Sequence, residues 1–330
     1  MAQKDEALKR TESKVVGEEN WAGKLDIHNI LCAVDFSDFS RRAFRYALAL
    51  ARRFEASLFL QHTVQIPTSL FLGGIDPMAG GYSIQMARQE AEKNLQDLTA
   101  EGMADPSEVS LLLDEGDIRE RILETIAARK IDLVVIGTHG RKGFNRLMLG
   151  SVAEHVVHEA ICPVLVVCQP RTGFVSPLPD EPIQLKTILL ATDFSPNSGR
   201  ALTYALRWAS EWGGKVVLFH AVETISPTMK GIMDLFPEYN PYFEKQVAES
   251  WEIIQKLVPQ EMQRRCEVAY EIRHGNAKEE ILKVAEEKHA DLIVMGARGL
   301  GRSAIAWGST ISGVVRDGRF PVLSVRHLVD

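Results

Sequence analysis

The sequence predicts two tandem α/β domains, each a five-stranded parallel sheet with helices on both faces. Three observations carry this. The chain has 330 residues, about two domains' worth at 100–200 residues per domain. It repeats itself once. Within each copy, short apolar runs alternate with segments of helical period, the pattern of strands joined by crossover helices.

The repeat opens with NILCAVDFS at 29–37 and TILLATDFS at 187–195. The step from Asp35 to Asp193 is 158 residues, and the same step takes Tyr46 to Tyr204 and His62 to His220. GDIRERILETIAARKIDLVVIGTHG (116–140) matches GNAKEEILKVAEEKHADLIVMGARG (275–299), and CPVLVV (162–167) matches FPVLSV (320–325).

In the first copy, ILCAV (30–34) is a short apolar run suited to a buried strand. Residues 37–54 place Ala43, Tyr46, Ala47, Leu50 and Ala51 at helical spacing, with Ser37 or Ser40 as the N-cap. SLFLQHTV (57–64) is the next strand, and 82–101 is a polar helix with an apolar stripe. EVSLLLDEG (108–116) is a strand, 117–130 a helix, DLVVIG (132–137) a strand, 151–160 a helix and PVLVV (163–167) the last strand. The second copy repeats this order. Near-continuous apolar strands imply a parallel sheet covered on both faces. This makes each copy Rossmann-like or flavodoxin-like, with ligands expected beyond the carboxyl ends of the strands where strand order reverses.

The predicted boundaries are a tail at 1–26, a first domain at 27–168, a linker at 169–185 and a second domain at 186–330. Pro170, Pro177, Pro179 and Pro182 stiffen the linker. The segments 67–83 and 226–242 are long and rich in Gly, Pro and apolar residues, as lids or partner surfaces often are.

Lys plus Arg number 38 and Asp plus Glu 44, for a formal charge of −6. That balance speaks against a dedicated nucleic-acid binder, which needs a basic face. With 45% hydrophobic and 25% charged residues, the chain has enough apolar surface to fold. No run of 18 apolar residues is present, so no membrane span is expected. Met1 to Lys24 lacks the apolar core of a secretory signal. Cys32, Cys162, Cys168 and Cys266 form no CxxC pair, in keeping with a reducing cytoplasm.

The segment after the fourth strand carries the chemistry. In the first copy it reads GTHGRKGFNRLMLGS (137–151). Gly137 and Gly140 permit close backbone approach. Gly150 and Ser151 open a helix whose unpaired N–H groups favour an anion, and Arg141, Lys142 and Arg146 add positive charge. This describes a cradle for a polyphosphate, or a glycine-rich turn that merely joins strand to helix. The second copy, GARGLGRSAIAWGS (296–309), keeps Gly296, Gly299, Gly308 and Ser309 but is one residue shorter.

Other constellations are absent or weak. There is no GxxxxGK[ST], no GxSxG and no GxGxxG after the first strand. His155, His158 and Cys162 lie at i, i+3 and i+7, a spacing open to a metal but more often packed or solvated. His62 and His220 read as satisfied strand histidines, and Cys32 as inert core.

The pattern G-x2-G-x9-G-[S/T] after the fourth strand, with D-F-S after the first, resembles the universal stress protein family, and the similarity covers both copies. The first copy matches the signature of its nucleotide-binding branch in full, and the second departs by one residue. The resemblance implies ATP, with magnesium as an optional companion. It places Asp35 and Asp193 beside adenine and ribose. Thr63 and Ala221 would contact adenine through their backbone. Gly137, Gly140, Arg141, Gly150 and Ser151 would hold ribose and phosphates, with Gly296, Gly299, Gly308 and Ser309 as counterparts. It also implies pairing of last strands, as a homodimer or within one chain. The expected function is a nucleotide-regulated stress-response protein acting on a downstream protein partner. The alternatives are a slow ATP hydrolase using His139, or a nucleotide-free scaffold.

Overall fold

The computed structural model describes residues 25–65, 77–102, 105, 107–138, 150–168, 174–176, 181, 183–222, 240–297 and 309–326. The chain divides into two compact units, one holding 26–171 and the other 184–330, the second joined by Phe174.

In the first unit the order is β1 (Asn29–Ala33), α1 (Asp38–Phe54), β2 (Ser57–Val64), α2 (Pro77–Glu101), β3 (Val109–Glu115), α3 (Ile118–Ala128), β4 (Leu133–Gly137), α4 (Ser151–Glu159) and β5 (Val164–Val167). The strands lie in the order β3-β2-β1-β4-β5, and every pairing among them is parallel. Ile30, Leu31 and Cys32 of β1 have no exposed surface, as expected of a central strand with helices on both sides. Successive β2 side chains show the two faces. Gln61 bonds Thr125 of α3, while His62 stacks on Phe36 at the entry to α1.

The second unit repeats this with β6 (Thr187–Ala191), α5 (Pro196–Trp212), β7 (Lys215–Val222), α6 (Asn240–Lys256), α7 (Gln260–Gln263), β8 (Glu267–His274), α8 (Ala277–Glu287), β9 (Leu292–Gly296), α9 (Ser309–Asp317) and β10 (Val322–Val325). Its strands run β10-β9-β6-β7-β8, again all parallel.

Most expected elements stand within a residue or two of their ranges. Two long segments do not. Helix α2 begins at Pro77, not at residue 82, and α6 begins at Asn240, inside a stretch read as loop. Proline in a first turn has no intrahelical N–H to lose, so Pro77 and Pro241 start helices rather than forbid them. Gly80 and Gly81, poor helix formers, hide the start of α2. Residues 67–76 and 226–239 of the expected lids lie outside the described residues, as do residues 1–24 of the expected tail.

The linker is not wholly independent of the domains. Phe174 is 1% exposed and meets Trp208 edge-on, with ring centroids 6.3 Å apart. Its carbonyl accepts from Gln184 N–H at 2.8 Å.

Candidate functional site

In each domain the strand order reverses between the first and fourth strands, which opens a crevice at their carboxyl ends. In the first domain Ala33 of β1 pairs with Ile136 of β4. Asp35 and Thr138 therefore each lie two residues past the last paired position, on neighbouring strands.

The turn after β1 is tightly determined. Asp35 Oδ1 accepts from Ser37 N–H at 3.1 Å and from Ser37 Oγ at 2.6 Å. Ser37, not Asp35, is the N-cap of α1, accepting from Ser40 N–H. Between them Phe36 sits at φ +65°, an uncommon conformation for a bulky residue. Its ring lies 4.5 Å from that of His62. His62 Nδ1 is 2.8 Å from the Val34 carbonyl, which can only accept, so Nδ1 carries the proton. The second domain reproduces this. Phe194 is at φ +62°, 4.3 Å from His220, whose Nδ1 donates to Thr192 O at 2.8 Å. Asp193 Oδ1 accepts from Ser195 N–H at 3.1 Å.

Gly137 closes β4 beneath α1. A Cβ there would lie 2.9 Å from the carbonyl carbon of Phe39. At Gly296 a Cβ would lie 2.8 Å from Asn197 Cβ and Ser198 N. Helix packing alone therefore demands glycine at both positions. Gly150 differs. Its φ −61° and ψ 135° suit any residue, so backbone conformation does not require glycine. It is the N-cap of α4 yet brings no capping side chain, whereas Ser37 and Asp117 cap α1 and α3. Its own N–H donates to Thr138 O at 2.7 Å, which fixes the start of α4 at the carboxyl end of β4.

Thr63 is 5% exposed, and its Oγ1 is buried without a hydrogen-bond partner. Beside it Gln61 donates through Nε2 to Asp114 Oδ2 at 2.7 Å and Thr125 Oγ1 at 2.9 Å, while its Oε1 has no partner. In the second domain Phe219 and Ala221 stand at these two positions, so β7 carries no such polar cluster there.

The structure thus gathers Asp35, Gly137, Gly150 and Ser151 around one end of the first sheet, with Thr63 near the end of adjacent β2. In the second domain Asp193, Gly296 and Ala221 hold the corresponding places, and Ser309 begins α9. Gly140, Arg141, Gly299, Gly308 and His139 lie outside the described residues.

The profile of the universal stress protein family matches residues 26–167 and again 184–326. The chain belongs to the universal stress protein family. A universal stress protein of Mycolicibacterium smegmatis is 26% identical over 307 residues, covering 91% of this chain and 97% of its own. One from Methanocaldococcus jannaschii is 34% identical over 146 residues, covering 43% of this chain and 82% of its own. The crystal structure of a universal stress protein from Archaeoglobus fulgidus aligns with TM-score 0.61 and 22% identity, over 91% of this chain and 96% of that one. The last comparison establishes the shared α/β fold.

Elsewhere in this universal stress protein the reactive residue types are quiet. Burial pushes the Cys32 thiol far up, and pushes Cys162 and Cys168 up to about 12, so none is a ready nucleophile. Among the described residues no three His, Cys, Asp or Glu side chains are placed to hold a metal. No described helix is long and apolar enough to cross a membrane.

Proposed function

We propose that this chain is an adenine-nucleotide-binding regulatory protein of a stress response, with ATP as the ligand and its binding as a conformational or assembly switch. The observation that carries this is the start of α4. Its N-cap is a glycine that neither the backbone nor a capping bond requires, at the point where strand order reverses. A helix N-terminus left without a side-chain cap suits a phosphate, which takes the capping role and meets the partial positive charge. The absence of a side chain at Gly150 lets that phosphate approach the backbone.

Asp35 would accept from ribose hydroxyl or adenine amino groups. Thr63 would meet adenine through its backbone, and its buried hydroxyl still wants a polar neighbour. Gly140 and Arg141 would complete the phosphate cradle. Magnesium would arrive on the phosphates rather than in a protein cage. In the second domain Asp193, Ala221, Gly296, Gly299, Gly308 and Ser309 would play these parts around a loop one residue shorter. ATP moves a conformational equilibrium only by its differential affinity for the two states. The protein would work in the cytoplasm, as a homodimer with a downstream protein partner.

Calorimetric titration with ATP tests the reading. The account expects saturable binding that weakens at least tenfold in Gly150→Val, because the valine side chain occupies the phosphate's approach. Binding unchanged in that variant would remove α4 from the site. No saturation at about 1 mM, a free energy weaker than about −4 kcal/mol, would sink the proposal.

A further inference from the structure

The second domain has an open cleft of about 510 Å³ at the amino ends of its strands, the end opposite the crevice described above. Lys186, Lys215, Arg264 and Arg265 line it beside Trp212, and Glu267 is its one carboxylate. The cations form a row across three strands. Lys215 N–H donates to Lys186 O at 2.8 Å, Lys215 pairs with Glu267 in register, and the two arginines form the turn before β8. Gly214 forms part of the floor. A Cβ there would lie 2.7 Å from Leu185 O, so the glycine lets the strand starts close up beneath the row.

Among the described residues the cations of this row outnumber the carboxylates beside them. Glu267 is 3.8 Å from Lys215, a loose contact, and Glu261 is 3.5 Å from Arg265, which makes further contacts besides. Asp291 lies behind the row, its Oδ2 accepting the backbone N–H groups of Lys186 and Thr187. Among the described residues Lys186 and Arg264 have no ion-pair partner. The carboxyl end of α5, worth roughly half a negative charge, offsets part of the surplus.

The first domain serves as an internal control. Ser57 N–H donates to His28 O at 2.7 Å, and Asp132 Oδ2 accepts from His28 and Asn29 N–H, so the backbone arrangement is the same. Yet His28, Ser57, Asp105 and Pro106 stand where the second domain has Lys186, Lys215, Arg264 and Arg265. There Arg52 grips Glu108 with two bonds of 3.0 Å, which leaves the place paired. The fold therefore does not require the four cations.

We infer that this cleft is a binding site for a small multivalent anion carrying clustered phosphates, separate from the nucleotide crevice. Its volume is in the range of small-ligand sites. The arginine forks suit phosphate oxygens, with the lysines as point charges.

The test is an amide-shift titration of the full-length protein with inorganic tripolyphosphate. The expected result is saturable shifts at Gly213, Gly214, Lys215 and Glu267 that weaken with salt. The Lys215→Gln, Arg264→Gln double variant should bind at least tenfold more weakly, and Glu267→Gln a few-fold more tightly. Arg264 and Glu267 are exposed and Lys215 is half-buried; an unchanged amide spectrum away from the cleft checks that each variant is folded. ATP-induced shifts near Gly150, if present, should persist in every variant. Shifts confined to Gly150 and α4, no saturation in the cleft, or binding indifferent to the double variant would each overturn the inference.

Discussion

Glycine at 137 and glycine at 150 look alike in the sequence, yet the structure separates them. The first is held by Phe39 overhead, whereas the backbone angles of the second suit any residue. Gly137→Ala should therefore destabilise the first domain by about 1–3 kcal/mol, the usual range for forcing a methyl group into filled space. Urea unfolding measures this; a variant as stable as the parent would show that α1 lifts freely off β4. The glycines were legible because both copies keep them, with the second copy one residue shorter between them. The division of labour was not, because a sequence does not say which glycine lies under a helix. The positive φ at Phe36 was hidden for a similar reason. Phenylalanine gives no sign of it, and the stack on His62 that holds it joins residues 26 positions apart.

At the scale of elements, local rules explain most boundaries. Ser37, Ser195, Asp117 and Asn276 all cap helices through their side chains, as their residue types foretell. Asp117 accepts from Arg119 and Glu120 N–H. The Arg119 side chain bonded to it, more than the surrounding backbone, holds its carboxyl down at about 2. A carboxyl whose folded value lies below its unfolded one, about 3.9, adds stability that is present above about pH 4. That stability is lost as pH falls towards 2. The group is largely exposed, so the amount is at most about 1 kcal/mol. In Asp117→Asn, which keeps the cap, the pH dependence of urea unfolding between 5 and 2 should flatten by that amount. An unchanged slope would mean the bond to Arg119 does not persist in solution. The starts of α2 and α6 were the elements least visible in the sequence, since proline and glycine there signal a turn as strongly as a first helical turn.

For the whole molecule, the repeat made the two-domain plan readable before any coordinates. The burial of Phe174 was not readable, because a proline-rich run conceals that one of its aromatic residues is a core residue. Phe174 packs on Trp208 and Trp208 on Trp212. Phe174→Ala should destabilise the second domain by about 3–5 kcal/mol, as expected for emptying an aromatic site. Tryptophan fluorescence during urea unfolding reads this directly, since four of the five tryptophans lie beyond residue 184. An unmoved midpoint would show Phe174 to be dispensable. The proposed function predicts that the first domain, whose glycine segment is one residue longer than that of the second, is the stronger nucleotide site. The most direct measurement is an amide-shift map of the full chain with ATP. The account predicts the largest saturable shifts at Asp35, Thr138, Gly150 and Ser151. Saturable shifts that leave the start of α4 untouched, or none at millimolar ATP, would contradict it.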